Sequence, residues 1–212
     1  MPIRWIVPDT SPLPLGAYRG FVFNLEGRRL FPRLVQAMIW GNSRRYADLL
    51  GPGHAVMQAA GWREADGMPV CVSAMHGGRI AGVAWARRII LGNDELGCNL
   101  SFAVHPELEG RGVARLATAF AFELLYRERP RPVVANVQTR EANHRAIALA
   151  RSLGFHAPRL ARVPAPLSGE AEGPPFITLR ADAAALHCIT EDLLMKRLGW
   201  NAAHAIREGM RA

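Results

Sequence analysis

The stretch CNLSFAVHPELEGRGVARLATAFAF, residues 98–122, decides the fold, because it sets a strand, a glycine-rich turn and a helix in succession with almost no spacer. Leu100, Phe102 and Val104 alternate with Asn99, Ser101 and Ala103, the period-two pattern of a half-buried strand, and Pro106 closes it by withholding an amide donor. Gly110 and Gly112 then allow backbone angles and close approaches that a side chain forbids. Val113, Leu116, Ala117, Phe120 and Leu124 repeat at helical spacing, so a helix is expected to start at about Gly112. A helix start exposes unpaired N–H groups and the positive end of the helix dipole. A glycine turn leading into one is therefore a place where a phosphate can rest on backbone amides.

Upstream, residues 1–29 are rich in proline and glycine and read as an arm laid over the domain, with a short strand expected at Arg4 to Val7. Phe31, Leu34, Val35 and Met38 recur at i, i+3, i+4 and i+7, which predicts a helix from Leu30 to Trp40. Asn42 or Ser43 can cap a second helix through Leu50, ended by Gly51-Pro52-Gly53. Pro69 to Met75 and Arg79 to Ile90 read as two strands joined at His76-Gly77-Gly78.

Downstream of the main helix, Val133, Val134, Ala135 and Val137 form the near-continuous apolar run of a strand covered on both faces. A helix follows from about Asn143 to Leu153, with Gly154 as its stop. Strands are expected at Phe155 to Val163 and Phe176 to Ala181. In the tail, Thr190 is expected to cap a helix with Lys196 and Arg197 in its last turn, and a further turn of helix is expected around Ala202 to Glu208. The whole chain, 1–212, reads as one domain: a core of about 67–182, an N-terminal arm and helices over 1–66, and a helical extension over 183–212.

At 50% hydrophobic, 212 residues suffice for a sizeable core. No apolar run approaches the roughly 18 residues of a membrane span, the first residues lack the order of a signal peptide, and no membrane partner is expected. Cys71, Cys98 and Cys188 are odd in number and widely spaced, which suggests reduced thiols, a cytoplasmic location and no metal site. The net charge of +8 concentrates around the glycine turn, where residues 105–163 carry 10 basic and 5 acidic side chains. Lys196 is the only lysine, so the basic character is nearly all arginine. With no RGG repeat, zinc knuckle or RNP-like strand, a nucleic-acid partner ranks second.

Two motifs in order resemble the GNAT superfamily of CoA-dependent N-acyltransferases. Glu109-Gly-Arg-Gly112-Val-Ala114, preceded by Val104-His-Pro106, is similar to the family's Q/R-x-x-G-x-G/A signature. Asn143-His-Arg-Ala146-Ile-Ala-Leu149-Ala150-Arg-Ser-Leu-Gly154-Phe155 is similar to its N-x-x-A-x-x-L-Y-x-x-x-G-F segment. The resemblance covers about residues 67–182 and implies a mixed α/β fold with a mostly antiparallel sheet of six to seven strands and helices on both faces. It also implies acetyl-CoA as acyl donor, an amine as acceptor and direct attack without a covalent enzyme intermediate.

Carried over by position, the backbone from Gly110 through Arg111, Gly112 and Val113 to Ala114 would hold the CoA pyrophosphate, next to Glu109 and with Arg111 and Arg115 adding charge. Phe102, Ala103 and Val104 would border the pantetheine arm, an amide near Phe102 would polarise the thioester carbonyl, and Asn143, with Ala146 on the same helix, would face the arm from its far side. This chain departs from the family at three places. Ala150 stands where many relatives keep an acidic tyrosine, Cys98 where some keep a basic glutamate, and Glu109 where Gln or Arg is usual. No catalytic acid or base is assigned.

The other candidates have plain readings beside functional ones. Asn143 is expected to cap its helix whether or not it also meets a ligand. Arg140, Arg145 and Arg151 form a solvated face from which one can reach the adenosine phosphate. His76 and His105 read as solvated, Cys98 and Tyr126 as packing, and Tyr18 and Tyr46 as able to reach an acceptor pocket. The acceptor-lining segments, Leu30 to Leu50 and 164–175, hold Asp48, Glu170 and Glu172 against Arg33, Arg44 and Arg45, which favours a neutral or anionic amine. An N-acetyltransferase ranks first, and a non-catalytic CoA-binding or RNA-binding module on the same fold second. A homodimer stays open.

Overall fold

The structure, a computed structural model, describes residues 12–26, 61–67, 69–157, 162–163 and 176–200. The helices read over 30–50, the strand at Arg4 to Val7, the loop at 164–175 and the last helix around 202–208 lie outside them. The described strands are β1 (Leu13–Tyr18), β2 (Phe21–Leu25), β3 (Arg63–Glu64), β4 (Val70–His76), β5 (Arg79–Ile90), β6 (Leu96–Val104), β7 (Val134–Arg140), β8 (Arg162–Val163) and β9 (Phe176–Asp182). The described helices are α1 (Val113–Arg127), α2 (His144–Ser152) and α3 (Ala183–Leu198).

These strands make one sheet in the order β1-β2-β4-β5-β6-β7-β9-β8, with β3 added beside β5. Every described pairing is antiparallel except β6 with β7, where α1 is the crossover that parallel neighbours require. The fold is thus the expected mixed, mostly antiparallel α/β sheet. It is wider than six or seven strands, and part of the reason lies in the N-terminal segment. That segment was read as an arm, yet β1 and β2 form a hairpin whose β2 edge pairs with β4. Arg19 and Gly20 turn it with φ of 50° and 82°, the paired positive angles of a tight hairpin turn. The alternation of Phe21, Phe23 and Leu25, all buried, was the legible signal. The proline and glycine around it obscured it.

One face of the sheet carries all three described helices. Val72, Ala84, Cys98, Leu100, Ala135 and Val137 join residues of α1, α2 and α3 in a single apolar cluster. Phe120, Phe122 and Leu124 of α1 are fully buried there, and emptying such a site typically costs about 3–5 kcal/mol for a phenylalanine. α2 is capped by Asn143, as expected, and ends at Gly154 with φ of 90°. Between Phe155 and Val163 the described pairings are a single bridge, His156 to Arg180, and the two-residue β8.

The tail corrects one expectation. α3 starts at Ala183, seven residues before Thr190, and its N-cap is Asp182, whose side chain accepts a hydrogen bond from the Ala185 amide at 2.8 Å. An aspartate followed by three alanines combines a good cap with the best helix former. Thr190 lies mid-helix and fully buried, its hydroxyl 2.5 Å from the Glu123 carboxylate of α1. Thr190→Val keeps the shape and removes that donor from a buried carboxyl, so it should lower stability by about 1–3 kcal/mol, measured by urea unfolding. Thr190→Ser should lose less.

Candidate active site

β6 and β7 are paired over only four rungs, from Gly97 with Val134 to Leu100 with Val137. Beyond them β6 stays with β5 as far as Val104, and β7 stays with β9 as far as Arg140. The two strands diverge, and a cleft of about 810 Å³ opens between them, bounded by Leu100–Val104, Val137–Arg140, the glycine turn, α1's first turn and α2. Ser101 and Phe102, adjacent on β6, both line it.

Hydrogen-bond alternation aims the backbone of β6. His105 donates to the Ala81 carbonyl at 2.8 Å, which makes Ala103 and Ser101 the residues whose backbone groups face β5. The backbone groups of Phe102 and Val104 therefore point the other way, toward the cleft.

At the end of β6 the chain turns through Pro106–Leu108 into Gly110 and Gly112, with φ of 76° and 81°. A Cβ at either glycine would meet nothing within 4 Å, so both present bare backbone to open space. Gly112 is the N-cap of α1 and has no side chain to cap it. The first intrahelical bond is Leu116 N–H to the Gly112 carbonyl, 3.1 Å. The amides of Val113, Ala114 and Arg115 precede it and have no acceptor within the helix.

Of the residues expected to bind the donor, Phe102, Ala103, Val104, Glu109, Gly110, Gly112, Val113, Ala114, Arg115, Asn143 and Ala146 all line this one cleft. Arg111 stands exposed on the turn, outside the lining. Glu109, the carboxylate where Gln or Arg was expected, forms an ion pair with Arg145 of α2. Arg115 reaches the opposite way and donates to the Ser152 carbonyl at 3.1 Å. The Asn143 side chain accepts from the Ala146 amide at 3.2 Å. Arg140 is buried with its guanidinium over the Phe176 ring, 4.7 Å from the centroid.

Leu149 of the second motif lines the cleft too, as do Gln138, Thr139 and Ser152, which sequence reasoning did not single out. The available signal was positional. The outer half of the strand after the crossover must face whatever separates it from β6. Tyr18, read as able to reach an acceptor pocket, is instead on β1 at the sheet's far edge, where its hydroxyl accepts from Arg197 at 3.0 Å. Tyr46 lies outside the described residues. His105 is tied into its turn, its Nδ1 accepting from the Glu107 amide at 3.4 Å.

Neither departure from the family supplies a proton carrier. Ala150 is fully buried in the apolar cluster and does not line the cleft. Cys98 is fully buried, and burial pushes its thiol up to about 12, so it remains protonated at neutral pH. On the sheet face opposite the helices, the polar Asn24, Ser73 and Asn136 are buried along with the apolar Cys71, Val83, Trp85 and Ile89, and the Glu26 side chain is buried just beyond β2. Ser73 donates to the Glu26 carboxyl, yet burial still holds Glu26 above its ordinary value of 4.5. Among the described residues no group of histidine, cysteine or carboxylate side chains could hold a metal ion. No described helix is long and apolar enough to cross a membrane.

With this geometry in hand, comparison with known proteins is specific. Residues 37–155 match the Acetyltransferase (GNAT) family. No curated protein matches the sequence. Among solved structures, RimJ of Mycobacterium smegmatis in complex with CoA-disulfide is 12% identical, with a TM-score of 0.54 over 91% of this chain and 98% of that one. The putative acetyltransferase yncA of Salmonella typhimurium with acetyl-CoA is 14% identical, with a TM-score of 0.52 over 78% and 95%. Arabidopsis thaliana NAA60 in complex with acetyl-CoA is 13% identical, with a TM-score of 0.54 over 76% and 98%. The match spans more than half of the chain, and the chain belongs to the GNAT acetyltransferase family. It is an acyl-CoA-dependent N-acetyltransferase.

The Glu26 shift has a definite sign. The folded protein keeps the Glu26 proton at pH values where the unfolded chain has lost it, so the carboxyl weakens the fold increasingly as pH rises above about 4.5. Glu26→Gln should match wild-type stability at pH 4 and exceed it at pH 8, read as the shift in urea midpoint at each pH.

Proposed function

We propose that the cleft holds acetyl-CoA and delivers its acetyl group to an amine. One observation carries the reading. The divergence of β6 and β7 leads directly into the uncapped N-terminus of α1, so cleft-facing strand backbone and orphan helix amides border one cavity.

The groups divide the donor between them. The amides from Gly110 to Ala114 accept the diphosphate, where dipole and bare glycine backbone favour an anion. Arg111 adds charge from the turn. Glu109 is neutralised by Arg145, which removes the repulsion its carboxylate would otherwise exert. Phe102 extends its backbone to the pantetheine amides as a neighbouring strand would, and Val104, Asn143 and Ala146 border the same arm. The Phe102 N–H, on the cleft side of β6, bonds the thioester oxygen and stabilises the negative charge that develops there.

The acceptor nitrogen then attacks the carbonyl carbon, the tetrahedral intermediate collapses, and the C–S bond breaks. The amine loses its proton to an ordered water, and the thiolate is protonated by water, because neither Ala150 nor Cys98 offers a group for the task. Positioning supplies most of the rate. The reading carries a cytoplasmic location, supported by three free cysteines. The acceptor is a neutral or anionic amine, a choice supported by the scarcity of acidic side chains in segments 30–50 and 164–175, where Asp48, Glu170 and Glu172 are matched by three arginines, rather than by described structure.

Two measurements test this. Gly112→Asp forces a side chain onto a left-handed backbone and sets a carboxylate against the diphosphate, so the acetyl-CoA Kd should rise by about a hundredfold or more in calorimetry. An unchanged Kd would remove the turn from the donor site. Cys98→Ala should leave kcat for thiol release from acetyl-CoA, in the presence of an accepted amine, within about twofold of wild type, since a buried protonated thiol is no base. A protein that binds acetyl-CoA and releases no thiol with any of a broad panel of amines and peptides would instead be a binding module.

A further inference from the structure

One row of the sheet is polar on the face away from the helices. Cys98, Leu100, Ala135, Val137, Leu179 and Ala181 belong to the apolar cluster beneath the helices, so the residues between them, Asn99, Asn136 and Arg180, present their side chains on the opposite face. The pairings set these three side by side, with Arg87 of β5 next to Asn99. Arg180 reaches inward along the row: its Nε donates to the Asn136 Oδ1 at 3.1 Å, and the Asn136 Nδ2 donates in turn to the Cys98 carbonyl at 3.4 Å. The guanidinium therefore lies against Asn136, one rung short of the Leu100–Val137 pair after which β6 and β7 part.

The Arg180 charge is unmatched. Arg87, the other cation of the row, is paired with Glu64. Arg180 is half-buried, and among the described residues its only side-chain partner is the neutral Asn136. Its two Nη groups are not enclosed, so they stand open to an incoming acceptor atom. A cation held partly out of water without a counter-charge is a costly arrangement that an anionic ligand relieves. Gln138, the next residue of β7 on the same face, is diagonal to Arg180 across the β7–β9 ladder and lines the cleft, which joins the row to the site. Its Oε1 and Nε2, like the Asn99 Oδ1, are enclosed and unpartnered. Direct contact with a ligand therefore falls to Arg180. An apolar occupant beside these atoms would leave them unsatisfied, whereas a polar one can relieve Gln138 by a turn of its side chain.

We propose that Arg180 is the anion-recognising group of the acceptor subsite, and that the acceptor is a small amine bearing a carboxylate, of the α-amino-acid kind. The inference rests on the reading of the cleft as the acetyl-CoA site. In that reading the diphosphate lies at the glycine turn beyond Val104 and the thioester at the Phe102 amide, so the donor's phosphates are at the far end of β6 from Arg180 and a different anion must meet it. Asn99, level with Asn136, is three residues from Phe102, about 10 Å along the strand. A nitrogen about 3 Å from the thioester carbon, a hydrogen bond of about 3 Å to the guanidinium and the two-carbon body of an α-amino acid between them span a similar distance. With Nε spent on Asn136, the two Nη groups receive the carboxylate end-on through parallel N–H···O bonds. A polyamine would meet a cation in place of that partner, so the same residue also selects against it.

The test supplies acetyl-CoA with matched acceptors, the L-α-amino acids and their carboxamides, and reads thiol release by wild type, Arg180→Gln and Arg180→Lys. For at least one amino acid, wild-type kcat/KM should exceed that of its carboxamide by about tenfold or more, although the carboxamide is the more readily deprotonated amine. Arg180→Gln should raise the KM for that amino acid about tenfold or more with kcat within about threefold, and Arg180→Lys should recover part of the loss. The carboxamide's kcat/KM and the acetyl-CoA Kd should stay within about twofold of wild type in both variants, the second value also showing that they fold. A wild type that treats each pair alike, prefers the carboxamides or acetylates no amino acid overturns the subsite while leaving the cleft intact, as does an Arg180→Gln loss equal for acid and amide. A wild type that does not bind acetyl-CoA overturns the cleft reading itself.

Discussion

The β6–β7 pairing has to end after four rungs, and the rest of the molecule follows from that limit. A crossover through α1 returns the chain beside β6 as a parallel neighbour, and the pair would close the sheet if its ladder ran on. It does not, because each strand is held more extensively on its other side: nine rungs join β5 to β6 and seven join β7 to β9. With both lips secured by antiparallel ladders, the accumulated twist of the strands separates them at the end where the glycine turn begins. A gap in the middle of a sheet would normally strand backbone polar groups. Here those of Phe102 face the cleft.

That arrangement explains how a chain with a carboxylate at the turn can still favour an anion. The attraction comes from fixed backbone dipoles at the start of α1, which the fold orients and which no side-chain rotamer can withdraw. Glu109 is drawn off by Arg145, a contact from the turn to α2 across one end of the cleft, and Arg115 ties α1 to the far end of α2 through Ser152. Two arginines thus brace the helices that border the site.

The helical layer is braced more deeply by a buried polar cluster. The Glu123 carboxyl of α1 is fully buried and meets Thr190 and the His187 Nδ1 of α3, with Arg127 alongside at 3.4 Å. Burial raises its pKa while these partners oppose the rise. This seating of α3 against α1 gives the buried carboxyl its two hydrogen-bond partners from α3.

The amino-acid sequence by itself determined the strand–turn–helix unit at 98–122, the hairpin at 70–90, the helix capped by Asn143 and the two motifs whose residues line the cleft, because each depends on local periodicity, turn chemistry or a motif of fixed spacing. Residues such as Gly110, Gly112 and Asn143 announce their backbone conformation wherever they stand. Tertiary structure alone decided which partners those pieces meet. The β1–β2 hairpin joined the sheet through an edge that nothing local specifies, and Thr190 became an interior hydrogen-bond donor because Glu123, 67 residues away, needed one. Gln138 entered the cleft because β7 leaves β6 only after Val137. Such contacts join residues far apart in the chain, and their energies depend on burial that no short window of sequence contains.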